Sequence, residues 1–440
     1  MSRSLTEEYL SVVEKDIDTH IASSVKVSDY ILNSTAHSRE NYVWTCYGPK
    51  IFTEEEFNYL CDINKTLYGI FDKIINRYFD DADYRELFGF DKRLEDLILR
   101  CDRRYLTIPI ARIDIFYNED TKEFKFCEFN TDGSSAMNED RELGIAIKDT
   151  PAYASFAEKH KIRQCELFYS WIDELEAMYA ERTGGEKLDN IVIADFLERA
   201  YIEEFGVFLE HFKEKGYNAE ICEIRNLRYD GKALYTPTGM KVNAIYRRAV
   251  TGDIMKHYDE VKDFIKAVKD GNVMIFGDFF TQIVHNKVLY TIMWNDETLS
   301  MLSDAEQDFI KKHVPRTYTE REITRDMLLS DKDGWILKPK DSYGSRGIFP
   351  GISYSYEEWE DIVDNQVDYE NYVFQEFFTP YRLDNYRILN GELIKGKFYN
   401  LTGVYVYNGK TQGIYSRAAK DPIISTQYNE VALATFIVEK

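Results

Sequence analysis

Apolar residues recur at roughly helical spacing from residue 5 to 32, and Thr53-Glu54-Glu55-Glu56 stands before a further apolar face like a capped helix start. The first hundred residues are therefore expected to be mainly helical. Between residues 108 and 130 the period changes. Ile113, Ile115 and Tyr117 alternate with other residues, a charged turn spans residues 118–123, and Phe124-Lys125-Phe126-Cys127-Glu128-Phe129 follows. That pattern predicts a β-hairpin. Beyond Gln164, residues 191–194, 219–224, 243–246 and 273–276 read as short buried strands, with helical stretches at 203–215 and 261–269. Strands alternating with helices imply a parallel sheet. The last hundred residues return to antiparallel β structure, because Asn390-Gly391 and Asn408-Gly409 each separate two apolar runs.

A chain of 440 residues exceeds what one hydrophobic core usually supports. The pattern divides it into a helical region (1–105), a hairpin (106–150), an α/β substrate domain (151–280), and a nucleotide-binding and lid region ending in a β meander (281–440). The expected class is α/β with mixed α+β parts.

Hydrophobic residues make up 44% and charged residues 30%, the balance of a globular chain. No run approaches the ~20 apolar residues that span a bilayer. The first ten residues carry acids and no apolar core of a signal peptide, so a cytoplasmic location is expected. Lys and Arg number 55 against 77 Asp and Glu, a net charge of −22, which speaks against nucleic acid as a partner. Six scattered cysteines without a C-x-x-C pair fit reduced thiols. The sequence holds no G-x-G-x-x-G, no Walker loop, no H-E-x-x-H and no G-x-S-x-G, which disfavours dinucleotide, zinc-protease and serine-hydrolase chemistry.

Three segments could carry chemistry. On paired strands, Arg112 and Asp114 project to one side, and so do Glu128 and Asn130. Carboxylate and amide oxygens are ligands that Mg²⁺ takes when it bridges phosphates, and an arginine beside them would neutralise phosphoryl or oxyanion charge. An ordinary ion pair on a surface hairpin would look the same. Next, Trp335-Ile336-Leu337-Lys338 delivers a lysine to a small loop, residues 341–347, where Ser342, Gly344, Ser345 and Gly347 could cover phosphate oxygens; a plain turn beside a solvated lysine is the alternative. Finally, Gln375 and Glu376 end an apolar strand where an adenine edge could bond. Arg247 and Arg248 could clamp a substrate carboxylate or form a solvated pair.

In this order the segments resemble the glutathionylspermidine synthase group of ATP-grasp ligases. Arg112-Ile113-Asp114 and Cys127-Glu128-Phe129-Asn130-Thr131-Asp132 are similar to the family's R-x-D and L-E-Y-N-A-D strands. The stretch from Asn286-Lys287 to Trp294 is similar to its S-K-A-I-L-P-I-L-W helix, and Lys338-Pro339 with residues 342–348 to its K-P…S-R-E-G lid. Phe374-Gln375-Glu376 is similar to its hinge, and Gly413-Ile414-Tyr415-Ser416-Arg417 to its closing G-I-R.

The resemblance implies an ATP-grasp fold of permuted order with a pre-ATP-grasp-like substrate domain. It implies an ATP-dependent acid–amine ligase working through an acyl phosphate. Asp114, Glu128 and Asn130 would hold two Mg²⁺ ions, and Arg112 would stabilise the transition state. Lys287 and Lys338 would meet ATP phosphates, Gln375 and Glu376 the adenine, and Arg417 the acyl phosphate. The partners would be a small acid and an amine, including peptides or polyamines, with no membrane. Two departures stand out. Thr131 to Ser135 replaces the stretch where the family places a threonine against its peptide substrate, which makes Ser134 and Ser135 substrate candidates. Tyr415-Ser416 separates Gly413-Ile414 from Arg417. The competing reading is a catalytically inactive ATP-binding sensor or scaffold.

Overall fold

The computed structural model describes residues 2–37, 42–198, 200–342, 344–425 and 429–439. The periodic stretch at the start forms two helices, Ser2–Lys15 and Ile17–Asn33, parted where Asp16 caps the second through the Thr19 amide. Thr53 opens the 27-residue helix Glu54–Asp80 with a capping box: its side chain accepts from the Glu56 amide, and Glu56 accepts from the Thr53 amide. Leu60, Ile63, Leu67, Ile70, Phe71, Ile74 and Tyr78 are buried on this helix. Their three- and four-residue spacing makes one apolar stripe, and each side chain of this size contributes roughly 1.5–3 kcal/mol when fully buried.

The expected hairpin pairs Ile110–Tyr117 with Phe124–Asn130, setting Arg112 opposite Asn130 and Asp114 opposite Glu128. The register shifts after Asp114, so Cys127 is the extra residue of a bulge. Phe129, between Glu128 and Asn130, points the other way. It meets Phe71 of the long helix edge-on at 5.1 Å and stacks on Tyr290 at 4.9 Å. Clamping Phe129 in the core fixes the neighbouring polar side chains on the opposite face.

The hairpin is part of a larger sheet. Ile110–Tyr117 also pairs with Glu392–Tyr407, which pairs with Arg382–Leu389 and Lys410–Ala419, and Val431–Leu433 adds the outer strand. Both Asn-Gly turns hold two consecutive left-handed residues, with φ 52° and 79° at Asn390 and Gly391 and 47° and 79° at Asn408 and Gly409. That is the geometry Asn-Gly selects in a two-residue hairpin.

Residues 190–276 contain the expected parallel sheet, ordered Met274–Phe276, Ala244–Arg247, Asn190–Asp195, Asn218–Glu223. A third, antiparallel sheet runs Thr317–Tyr318, Tyr372–Glu376, Trp335–Pro339, Phe349–Pro350. Leu337 and Phe374 of that sheet pack with Leu328, Trp359, Ile362 and Val363 in a separate apolar cluster. Strand Thr435–Val438 lies between Lys50–Thr53 and Ile162–Arg163 and ties three distant segments together. The architecture is mixed α/β. Among the described residues no helix is long and apolar enough to cross a membrane, and all six cysteines are free.

Candidate functional site

A cavity of about 660 Å³ lies between the polar face of the six-stranded sheet and the four-stranded sheet that carries Lys338. Arg112, Asp114, Glu128 and Asn130 line it from the hairpin, and Lys287, Lys338, Gln375 and Glu376 from the other side. Arg417, Ser134, Ser135, Gly344 and Ser345 also line it. The parallel sheet contributes through Glu198 and Val250, which follow the carboxyl ends of two of its strands. That end of an α/β sheet is where ligands commonly bind.

Asp114 is 1% exposed and saturated. It accepts from Arg112 Nε at 2.8 Å and Nη2 at 3.1 Å, from Arg417 Nη2 at 2.5 Å, and from Asn130 Nδ2 at 3.1 Å. Arg417 reaches it across the intervening strand, on which Gly403 is the ladder partner of Asp114 and Leu401 that of Arg417. A Cβ on Gly403 would stand 2.9 Å from both Arg112 Cδ and Asp114 Oδ1. The missing side chain makes room for the Arg112–Asp114 pair. Burial opposes charge on both guanidiniums, but Asp114 and its neighbours outweigh it and raise the pKa of each.

Glu128 is the more available carboxylate, its side chain 29% exposed and 2.8 Å from Lys287 Nζ. Burial pushes its carboxyl up, but the charge and hydrogen bond of Lys287, with Lys338 and His285, hold it at about 2. Asn130 turns its Nδ2 toward Asp114 and the Arg112 carbonyl. Lys287 also donates to the Ser342 carbonyl at 2.8 Å, and its amide donates to the Lys340 carbonyl. Lys338 donates to Gln375 Oε1 at 2.8 Å, and burial pulls its ammonium down. Among the described residues no group of three His, Cys, Asp or Glu side chains is assembled for a metal. A Mg²⁺ site here would rest on Glu128, the Asn130 oxygen and substrate phosphates, which suits an ion that keeps few protein ligands.

Several expectations are corrected. Arg247 and Arg248 are neither solvated nor in the cavity lining: Arg247 pairs with buried Asp132 at 2.8 Å, and Arg248 with buried Glu204 at 2.9 Å. Their charge is spent inside the core, so no substrate carboxylate can claim it. The Gln375 side chain is engaged at both ends, by Lys338 and by Thr317 Oγ1 at 2.9 Å, while the residue still lines the cavity with Glu376. Asp114 is held by both arginines and Asn130, three of the four hydrogen bonds falling on Oδ2, so a metal there would compete with them. Ser342 and Gly347 lie outside the lining. Gly347, with φ 69°, shapes the loop instead: a Cβ there would approach Tyr372 Oη to 2.9 Å. Tyr343 of the expected lid lies outside the described residues.

Other residues of the site were not singled out from the sequence. Phe377, Ile336 and Pro315 line one end of the cavity beside Phe378, which stacks on Phe116. Glu139, Glu198 and Glu430 also line it. Glu139 accepts from the Tyr415 hydroxyl, and burial together with Glu430 pushes its carboxyl up to about 7. Gly403 left a signal that could have been used: glycine inside an apolar strand marks close approach of another group.

The chain superposes on a glutathione synthetase-like effector from Globodera pallida, in apo form, with a TM-score of 0.64 at 12% identity. The match covers 95% of this chain and 97% of that one. The fold is similar to that of a glutathione synthetase-like protein. At this identity the likeness concerns fold alone, and it differs from the glutathionylspermidine synthase resemblance read in the motifs. A candidate gamma-glutamylcysteine synthetase from Methylobacillus flagellatus matches with a TM-score of 0.40 at 10% identity, over 82% of each chain. D-cycloserine synthetase gives 0.31 at 10%, over 56% of this chain and 90% of that one. Superpositions that loose carry no argument. No family model and no curated protein sequence matches the chain.

Proposed function

We propose that the protein is an ATP- and Mg²⁺-dependent carboxylate–amine ligase of ATP-grasp type. The observation that carries the reading is one cavity in which Lys287 and Lys338 face Glu128 and Asn130, with Arg112 and Arg417 beyond them. The apolar end at Phe377, Ile336 and Pro315 suits an adenine ring. The lysines suit its phosphates, which they would meet as point charges. Mg²⁺ held by Glu128 and Asn130 would bridge phosphate oxygens and neutralise their charge.

In this reading the substrate carboxylate attacks the γ-phosphorus and ADP leaves, giving an acyl phosphate. The amine then attacks the acyl carbon, phosphate leaves with the C–O bond electrons, and the ammonium proton is lost to form the amide. Arg112 and Arg417, fixed by Asp114, would stabilise the charge that grows on the phosphoryl and tetrahedral oxygens. Ser134 and Ser135, which line the cavity, would contact the acid. The carboxylate hairpin precedes the lysine-bearing strand in the chain, which is the permuted order the motif resemblance implies.

The test is ADP release with ATP, Mg²⁺ and a panel of small acids in the presence of hydroxylamine, which traps an acyl phosphate as a hydroxamate. Acid-dependent ADP with matching hydroxamate supports the ligase. Nucleotide binding without ADP release for any acid is the outcome expected of a sensor or scaffold, and absence of nucleotide binding sinks both.

A further inference from the structure

One buried polar side chain in the cavity has no role in the scheme above. His285 ends the short helix Gln282–His285, two residues before Lys287, and its ring lines the cavity while only 7% exposed. Nδ1 is sealed from solvent without a hydrogen-bond partner. No described residue bonds to the other ring nitrogen. Neighbouring groups are engaged: Lys287 with Glu128 and Ser342, Lys338 with Gln375, and Gln282 with Asp341 at 2.9 Å. His285 lines the same cavity as Glu128, Lys287 and Lys338, which sets it beside the phosphate lysines.

A buried donor left unmet is costly and rare in folded proteins. A neutral ring with its proton on Nε2 leaves only a lone pair on the sealed side, the less costly of the two omissions. Nε2–H is then the donor turned to the cavity. In the ligase reading Glu128 would hold the ion that neutralises the terminal phosphates, so a donor in the same cavity would meet the terminal end of the triphosphate.

We propose that His285 is a further substrate-contacting residue, whose Nε2–H donates to the terminal phosphoryl group of the bound nucleotide. This rests on the ATP-ligase reading. The contact would distinguish a triphosphate from a diphosphate, because ADP has no group at that position. It would add a neutral donor where Lys287 and Lys338 supply charge, and it would fix the orientation of the phosphoryl group for in-line attack.

Calorimetric titration of wild type, His285→Phe and His285→Gln with Mg·ADP and with a Mg-bound non-hydrolysable ATP analogue tests this. His285→Phe should weaken the triphosphate analogue about tenfold or more, the loss of one hydrogen bond to a charged group, and leave ADP within about twofold. His285→Gln, whose amide can place a donor near the Nε2 position, should recover most of the loss. Equal weakening of both nucleotides, or no change in either, overturns the proposal. Wild type that binds neither nucleotide overturns the ligase reading with it, whereas triphosphate binding that ignores both substitutions removes His285 alone.

Discussion

Lys287 Nζ stands 2.8 Å from Glu128 Oε1, so the cation assigned to phosphates and the carboxylate assigned to Mg²⁺ are partners of each other. Under the proposed reading, binding of Mg·ATP would exchange these partners: the ion would replace lysine on Glu128, and phosphate would replace carboxylate on Lys287. Metal and nucleotide should therefore bind cooperatively. Melting curves with ATP, with Mg²⁺ and with both are expected to show a joint shift larger than the sum of the separate ones. Saturation a hundredfold above Kd stabilises by about 2.7 kcal/mol. Strictly additive shifts would separate the two ligands.

The same pair gives a pH dependence. The Glu128 carboxyl lies at about 2 in the fold, below its ordinary 4.5. Its stabilising contribution is complete above 4.5 and disappears as pH falls toward 2. Glu128→Gln should flatten the acid limb of the stability curve in that window and lower ADP release by about a hundredfold or more. Unchanged turnover in this variant would remove Glu128 from the metal site.

Asp114 separates a structural anchor from a metal ligand. Asp114→Asn leaves the buried Arg112 and Arg417 without their shared anion, and losing one member of a buried ion cluster typically costs 3–5 kcal/mol, so a fall of about that size is expected in denaturant unfolding with no ligand added. A variant as stable as wild type would show that the bridge contributes nothing and would reopen Asp114 as a metal ligand.

Much of this arrangement was legible in the chain, and the reasons are local. Asn-Gly dictates a two-residue turn from its own backbone preferences, so both C-terminal hairpins could be placed from residues 390–391 and 408–409. The face shared by Arg112, Asp114, Glu128 and Asn130 follows from strand alternation alone. What alternation cannot supply is the partner brought from far away. Arg247 and Arg248 resembled a surface clamp because Asp132 and Glu204, which neutralise them, lie many residues distant. The Gln375 side chain looked free because the lysine that occupies it comes from another strand. His285 showed no ligand spacing, and only burial without a partner sets it apart.

Gly403→Ala tests the space behind the arginines. A methyl 2.9 Å from Arg112 Cδ and Asp114 Oδ1 must displace one of them, an overpacking cost of about 1–3 kcal/mol. Acid-dependent ADP release should fall far more than nucleotide binding, since the lysine-bearing sheet is untouched. Steady-state kinetics beside the thermal shift with Mg·ATP distinguish the two, and parallel losses would point to general damage.

Glu139 titrates in the opposite sense to Glu128. Its carboxyl is raised to about 7 by burial and by Glu430, so the fold prefers it protonated. The cost of ionising it grows from pH 4.5 to about 7 and then stays constant. Glu139→Gln should therefore stabilise the protein on the order of 1–3 kcal/mol at pH 8 and much less at pH 5. A Tm difference independent of pH would mean that Glu139 is not held neutral.

Asp114 and Arg417 meet although 303 positions separate them, and the central sheet joins strands from both halves of the chain. A contact of such span cannot form while the polypeptide is still emerging from the ribosome; it waits for nearly the whole chain and for the entropy of closing a very long loop. The helices and the parallel sheet, built from near neighbours, can order earlier. The cavity wall is thus assembled from segments far apart in the chain. A product truncated before residue 410 would keep Lys287 and Lys338 yet lack the strand that brings Arg417 to Asp114.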